Sequence, residues 1–154
     1  MRSVQQWFAE YGESHQNPVN KSIHWFAVPV IYAAITGLLW AIPQPQFMMA
    51  IPWLNWAVVA TVLVLLFYVA LSFPIALGMT ALTVVCLWAW SLLQRLGISV
   101  WQTALGLFVV MWIFQFIGHA IEGKKPAFFK DLQFLLIGPA WIIAFIYRKL
   151  GIRY

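Results

Sequence analysis

Charged side chains are scarce in this sequence. Asp, Glu, Lys and Arg make up 8% of its 154 residues, whereas 64% of the residues are hydrophobic. A soluble globular domain carries roughly 25% charged residues, so the composition predicts an integral membrane protein. No charged residue occurs between Ser22 and Gln94, and the single Cys86 excludes an internal disulfide. The length predicts one all-α membrane domain over residues 1–154.

Basic residues dominate the few charges that are present, and they give a net charge of +5. They lie in short segments between apolar runs, where basic residues set membrane topology and contact anionic lipid head groups. This distribution differs from the basic patch of a nucleic-acid-binding protein. We therefore expect membrane lipid as a partner and no nucleic acid.

Residues 1–21 form a polar head. Within it, residues 5–13 predict a short amphipathic helix whose Trp7, Phe8 and Tyr11 lie on the membrane surface. Pro18 breaks any helix that approaches it, because proline disfavours α geometry at the preceding residue. A new helix is predicted to begin near Asn20 or Ser22, either of which is a suitable N-cap.

Four apolar segments follow this head, and each is close to the roughly 20 residues that a spanning helix needs. The predicted spans are residues 23–42, 53–71, 75–93 and 101–121. A fifth apolar segment, 132–147, is shorter and is interrupted by Gly138 and Pro139. It predicts either a fifth span or a broken segment that is re-entrant or interfacial.

Charge favours four spans and a broken last segment. With both termini cytoplasmic, this topology leaves only Arg95 on the opposite side. The basic residues placed on the cytoplasmic side are Arg2, Lys21, Lys124, Lys125, Lys130, Arg148, Lys149 and Arg153. The fold class expected is a four-span helical bundle plus a broken C-terminal segment. Its location would be a bacterial inner membrane or, in a eukaryote, the endoplasmic reticulum.

All three histidines of the chain lie on the same side of the membrane in this topology: His15, His24 and His119. Imidazole is the commonest metal ligand near neutral pH. Three imidazoles suit iron, zinc or copper, and the residues alone do not choose among these metals. The alternative is three histidines that only form hydrogen bonds at the interface. Gln115 and Glu122 share a helix face with His119.

Other polar residues near the histidines have two possible roles each. Asn17 and Asn20 could orient imidazole N–H groups, or cap a helix and form a turn. Gln115 could orient His119 or form an inter-helix hydrogen bond. Lys124 and Lys125 could attract a substrate carboxylate, although ordinary topology charges explain them more simply.

Three stretches carry a resemblance to a known family. They are residues 15–24 (HQNPVNKSIH) with Val28 and Pro29, residues 115–127 (QFIGHAIEGKKPA), and residues 135–139 (LLIGP). Together they resemble the Mpo1-like membrane proteins from end to end of the chain. The resemblance implies an iron(II)-dependent dioxygenase. Such an enzyme carries out α-oxidation of 2-hydroxy fatty acids with O2 and releases acids one carbon shorter.

The resemblance also implies that His15, His24 and His119 are iron ligands or their close neighbours. Fungal members carry one more residue between the histidine and the glutamate, so Glu122 is assigned a supporting role rather than a ligand role. A 2-hydroxy acid offers a carboxylate and an adjacent hydroxyl for chelation of a metal with open positions. Its acyl tail is apolar, which suits a site at the membrane edge.

Two other classes of function remain open from the sequence. One is a non-catalytic lipid-binding or scaffold protein, and the other is a zinc-dependent lipid hydrolase. A transporter is disfavoured, because transporters place ionisable groups near the middle of their spans. Here the ionisable groups gather at one edge.

Overall fold

The computed structural model describes residues 2–125 and 133–154, and every regular element within these ranges is a helix. The all-α prediction is therefore confirmed for the described part of the chain. The helices are α1 (Val4–Gly12), α2 (Pro18–Trp40), α3 (Gln46–Met49), α4 (Trp56–Leu71), α5 (Phe73–Arg95), α6 (Val100–Glu122) and α7 (Phe134–Lys149).

Three of these helices are long and apolar enough to cross a membrane. Helices α2, α5 and α6 have 23 residues each, which is about 35 Å at 1.5 Å per residue. Helix α4 has 16 residues and begins at Trp56 rather than at residue 53, so it is shorter than the second predicted span. The count of four spans stays a prediction.

Helix α1 packs its apolar side into the protein. A capping box at Ser3 begins the helix, and Val4, Trp7, Phe8 and Tyr11 are buried. The Trp7 ring meets the Phe134 ring of α7 edge-on, with 5.3 Å between centroids. The prediction that these rings lie on the membrane surface is therefore wrong. An amphipathic stripe does not say which apolar surface will cover it, and here α7 does.

Helix α2 begins earlier than predicted. Asn17 is the N-cap, and its side-chain oxygen accepts a hydrogen bond from the Val19 amide at 2.9 Å. Pro18 occupies the first helical position, where its missing N–H costs nothing. The predicted start at Asn20 or Ser22 is wrong by one turn. Asn20 is thus already helical, and its side chain is available for contacts with other elements.

Helix α7 continues through the predicted break. It runs from Phe134 to Lys149 with Pro139 inside it, whereas the sequence predicted a segment broken at Gly138 and Pro139. Pro139 is the sixth residue of α7, so its missing N–H removes one backbone hydrogen bond, and packing against α1, α2 and α5 keeps the helix continuous. The predicted start at Leu132 lies outside the described residues, and so do Pro126, Ala127 and Lys130.

Helix α2 is the centre of the bundle. Its most extensive partner is α6, and it also packs against α4, α5 and α7. The α2–α6 pair is antiparallel, since His24 lies beside His119 at one end and Gly37 lies beside Ala104 at the other. Helices α4 and α5, which cover most of the predicted segments 53–71 and 75–93, pack together as a hairpin.

The outer surface of the bundle is apolar. Many large hydrophobic side chains of α2, α4, α5 and α6 are more than half exposed; they include Phe26, Leu63, Leu66, Val84, Val85, Trp88 and Ile113. A soluble monomer rarely exposes so large an apolar surface. This surface is what a helix bundle presents to lipid.

Gly37 provides a test of the packing at the far end of the α2–α6 pair. A Cβ atom there would lie 2.5 Å from the Trp90 ring, which is fixed by hydrogen bonds from its Nε1 to the Ala33 carbonyl and the Thr36 hydroxyl. We expect Gly37→Ala to lower the free energy of unfolding by about 1–3 kcal/mol. Thermal unfolding in detergent measures this change.

The matched control for this prediction is Gly106→Ala in α6. Gly106 has no atom within 4 Å of its Cβ position. The control should raise stability by up to about 1 kcal/mol through helix propensity. Equal effects of the two substitutions would contradict the close packing at Gly37.

Candidate metal centre

His15 lies in the short connection between α1 and α2. Its Nδ1 is 2.6 Å from the carbonyl oxygen of Tyr11, in the last turn of α1, and its ring stacks on the Tyr11 ring with 4.2 Å between centroids. A carbonyl only accepts, so Nδ1 carries the proton. The side chain is 1% exposed, and Nε2 is left without a proton.

His24 and His119 come from the paired helices. His24 is in the second turn of α2, and its Nδ1 donates to the Asn20 carbonyl at 2.9 Å. His119 is in the last turn of α6. Both side chains are buried. Metal-bound histidines usually donate their other ring N–H to a carbonyl or carboxylate, and His15 and His24 both do so here.

The three imidazoles converge on one point. One ring nitrogen from each of His15, His24 and His119 lies within 4.8 Å of the others. Nε2 of His24 and Nε2 of His119 are 3.1 Å apart. Two nitrogens bound at about 2.1 Å to one ion lie roughly 3.0–3.4 Å apart at bond angles of 90–110°. The observed separation fits that geometry.

The orphaned Nε2 of His15 also fits a metal ion at this point. Nε2 of His15 and Nδ1 of His119 are buried and have no hydrogen-bond partner. A buried polar atom without a partner costs about 1–3 kcal/mol. An ion bound by the Nε2 lone pairs of all three histidines would give Nε2 of His15 a partner. Nδ1 of His119 would then carry the proton of that ring. The donor set therefore suits a transition metal such as iron or zinc.

Burial controls the charge of His15, which lies outside the long helices. Loss of solvent lowers the pKa of the His15 imidazole below its usual value, although the hydrogen bond to the Tyr11 carbonyl opposes this effect. The ring is therefore neutral near pH 7. Neutral imidazole is the form that binds metals.

Glu122 connects the His15 segment to α6. Its carboxylate accepts hydrogen bonds from the backbone amides of Gln16 and Asn17, both at 2.8 Å, and from the Asn20 side chain at 3.0 Å. It makes no contact with an imidazole nitrogen among the recorded hydrogen bonds of the described residues. Glu122 therefore contacts the segment that carries His15, and the supporting role that the sequence assigned to it stays a prediction.

From the sequence, Asn17 and Asn20 each had two possible roles, and neither side chain bonds to an imidazole among the recorded hydrogen bonds of the described residues. Asn17 caps α2. The Asn20 side chain donates to the Ser14 carbonyl and to Glu122, and it is the Asn20 backbone carbonyl that holds His24. Asn20 is completely buried against Gly118. A Cβ atom at Gly118 would overlap the Asn20 oxygen, so this approach requires glycine.

The lysines after α6 lie on the surface. The Lys124 ammonium donates to the Glu13 carbonyl at 2.6 Å and so adds a second link between α6 and the end of α1. Lys125 is exposed. Lys130 lies outside the described residues. The structure places Lys124 and Lys125 beyond Glu122 on the outer side of the three histidines.

A small cavity lies against the histidines and leads away from Glu122. The space open to the centre of a water molecule is about 40 Å³, enough for roughly three waters. Beyond the three histidines the walls are mainly apolar. The remaining lining residues are Tyr11, Val28, Ile31, Tyr32, Ile35, Trp112, Gln115, Phe134, Leu135 and Gly138.

Tyr11 is the site residue that the sequence reasoning missed. Its ring covers His15, and its carbonyl holds the His15 Nδ1. Burial raises the pKa of the Tyr11 phenol above its usual value, so the hydroxyl stays protonated. The only signal for this role in the sequence was its position four residues before His15. At the end of a helix, that spacing brings the Tyr11 carbonyl close to the His15 imidazole.

Comparison with known proteins gives this site a family. A family model described as "2-hydroxy-palmitic acid dioxygenase Mpo1-like" matches residues 1–150. The chain belongs to the Mpo1-like family of membrane proteins.

One curated relative is the 2-hydroxy-palmitic acid dioxygenase MPO1 of Saccharomyces cerevisiae. It is 32% identical over 139 residues, which cover 89% of this chain and 75% of the relative. No solved structure matches this chain. The resemblance stated from the sequence is therefore confirmed at the level of the family.

Glu122 provides a direct test of how the histidines are held together. Glu122→Gln replaces one acceptor oxygen with a donor, so at least one of the hydrogen bonds to Gln16, Asn17 and Asn20 must break. We expect faster hydrogen exchange of the Gln16 and Asn17 amides and a loss of about 1 kcal/mol of stability. Hydrogen exchange with mass spectrometry measures the first effect and thermal unfolding the second.

The control is Glu13→Gln in the same connection. Glu13 is exposed, and its carboxylate has no recorded partner, so exchange at residues 16 and 17 should not change. Wild-type exchange rates in Glu122→Gln would contradict the role of this carboxylate.

Proposed function

We propose that this protein is an iron(II)-dependent dioxygenase. It would convert 2-hydroxy fatty acids to fatty acids one carbon shorter by α-oxidation. In this proposal His15, His24 and His119 hold the iron, and the substrates are the 2-hydroxy acid and O2. The observation that carries it is the convergence of three buried ring nitrogens within 4.8 Å at one end of a cavity.

Two independent facts support this function over a lipid-binding or scaffold role. The chain belongs to a family described by a 2-hydroxy-palmitic acid dioxygenase, and its curated relative bears that name. The buried, unpartnered His15 Nε2 also has no purpose in a protein that uses histidine only for interfacial hydrogen bonds. A metal ligand explains it.

The protein residues would supply a fixed frame. Iron(II) would provide open coordination positions for a chelating 2-hydroxy acid and the redox chemistry of O2. The Tyr11 and Asn20 carbonyls hold the His15 and His24 rings with Nε2 pointing inward. The Glu122 carboxylate fixes the His15 segment against α6.

The shape of the cavity suits an amphiphilic substrate. The cavity beside the histidines has room for a polar head group but not for a long acyl chain. The apolar wall continues along α2 from His24 to Ile35, about 16 Å at 1.5 Å per residue. We propose that the acyl chain follows this wall into the bilayer, with the histidines and both termini on the cytoplasmic side.

Metal and product analysis test the proposal together. We expect protein purified from membranes to contain iron and to convert 2-hydroxypalmitate and O2 to pentadecanoic acid. His15→Ala, His24→Ala and His119→Ala should each lower iron content and reduce turnover more than about 100-fold, since ligands matter more than their supporting partners. Plasma mass spectrometry measures the metal, and gas chromatography measures the acid.

The matched control is Ser22→Ala, two residues before His24 on the exposed side of α2, which should keep iron and activity. Zinc in place of iron, together with hydrolysis of a lipid ester, would sink the dioxygenase proposal. Retention of iron and activity in any one alanine variant would remove that histidine from the site.

The path of the acyl chain gives a second test. Ile35 lines the cavity at the end far from the histidines. Ile35→Trp should shift the preference, measured as kcat/KM, from 2-hydroxypalmitate toward shorter 2-hydroxy acids by roughly tenfold. Phe26→Trp is the control, because Phe26 is 66% exposed on the outside of the same helix. An unchanged chain-length preference in Ile35→Trp would show that the acyl chain of the substrate does not pass Ile35.

A further inference from the structure

The Tyr11 hydroxyl is a buried polar group that the fold does not use. The Tyr11 side chain is 6% exposed and lines the cavity. Its hydroxyl lies against Gly138, 2.9 Å from where a Cβ atom would be. It makes no hydrogen bond within the described part of the chain. Two other buried tyrosines differ: the hydroxyls of Tyr32 and Tyr68 are bonded to Thr83 and to the Leu136 carbonyl.

The Gln115 side chain is a second group of this kind. It is 6% exposed and lines the same cavity from α6. Neither its carbonyl nor its amide nitrogen bonds to a described residue, whereas the Gln94 side chain at the other end of the bundle accepts from Trp40 at 2.7 Å. From the sequence, Gln115 was expected either to orient His119 or to form an inter-helix hydrogen bond, and neither bond is recorded for its side chain among the described residues.

Tyr11 and Gln115 lie at the same depth. The antiparallel α2–α6 pair places His119 beside His24, so Gln115, one turn earlier in α6, lies level with Val28. Val28 and the Tyr11 hydroxyl both contact the position of Gly138. Both polar groups therefore face the cavity about 6 Å beyond the histidines, between them and the apolar wall.

We propose that Tyr11 and Gln115 form a clamp for the substrate head group and make the site selective for 2-hydroxy acids over unsubstituted acids. This inference rests on the proposed function. The two residues that line the cavity from α1 and α6 bring two donor groups and one acceptor to it.

The chemistry of these groups matches the head group. The Tyr11 phenol and the Gln115 amide nitrogen donate to carboxylate oxygens, and the Gln115 carbonyl accepts from the 2-hydroxyl. An acid without this hydroxyl would leave the buried carbonyl unpaired. Sites built to hydrogen-bond a substrate hydroxyl reject the analogue that lacks it strongly. The pair are positioning residues, because the reacting carbons would lie nearer the histidines.

Binding without turnover tests the clamp. Wild type, Tyr11→Phe and Gln115→Met are compared in nanodiscs without O2, by displacement of a fluorescent fatty acid with 2-hydroxypalmitate or palmitate. Each substitution should weaken 2-hydroxypalmitate binding roughly 10- to 100-fold, as expected for hydrogen bonds to a charged group. Gln115→Met should also make the affinity for 2-hydroxypalmitate nearly equal to the affinity for palmitate. In turnover assays KM should rise more than kcat falls.

Two control variants lose the same kind of polar group at positions outside the cavity. Tyr68→Phe and Gln94→Met each remove a polar group outside the cavity and should bind both acids as wild type does. Iron content should be the same in all variants. Wild-type affinities in Tyr11→Phe and Gln115→Met would overturn the clamp, and so would a loss of iron, since the pair would then act on the metal site.

The result is separable from the proposed function. If wild type shows no turnover but the two variants still bind 2-hydroxypalmitate less tightly, the clamp stands and the dioxygenase proposal fails. If wild type turns over and the variants bind normally, the dioxygenase proposal stands and the clamp fails.

Discussion

The close contact between the N-terminal end of α2 and the C-terminal end of α6 is the constraint on which the site depends. Gly118 lets the Asn20 side chain lie against α6, and Glu122 then accepts hydrogen bonds from Asn20 and from the backbone before α2. This arrangement determines where His119 meets His24. A larger residue at Gly118 would separate the helices at the point where their imidazoles meet.

Near the histidines, polar and apolar groups are sorted by depth along this pair of helices. Hydrogen-bonded polar groups occupy the outer turn, the three histidines the next, and Gln115 the one beyond, after which Ile31, Ile35 and Trp112 line the interior. Ionisable side chains in a membrane bundle are costly and usually functional. Here the histidines and Glu122 lie within a few helical turns of one end of the pair. The change from polar to apolar lining matches an amphiphile, whose polar head is followed by an apolar tail.

Much of the fold could be predicted, because its signals are local. Hydropathy marked the long helices, and Pro18 marked the connection that carries His15. Burial partners could not be predicted, since the apolar stripe of α1 is equally suited to lipid and to α7. The continuity of α7 through Pro139 was missed for a related reason: a proline inside a helix removes one backbone hydrogen bond, and the packing of α7 against α1, α2 and α5 offsets that loss.

Within the site, the common depth of the three histidines was predicted by counting the helices between them. The contact of Tyr11 with His15 could not be predicted, because it depends on how α1 docks against the bundle.

Sequence order has a further consequence for biosynthesis. His24 and His119 are 95 residues apart, so the ribosome makes two of the three imidazoles long before the last one. The histidine cluster can form only after α6 has been inserted beside α2. The centre is therefore completed late in assembly, when the bundle that shields it is nearly whole.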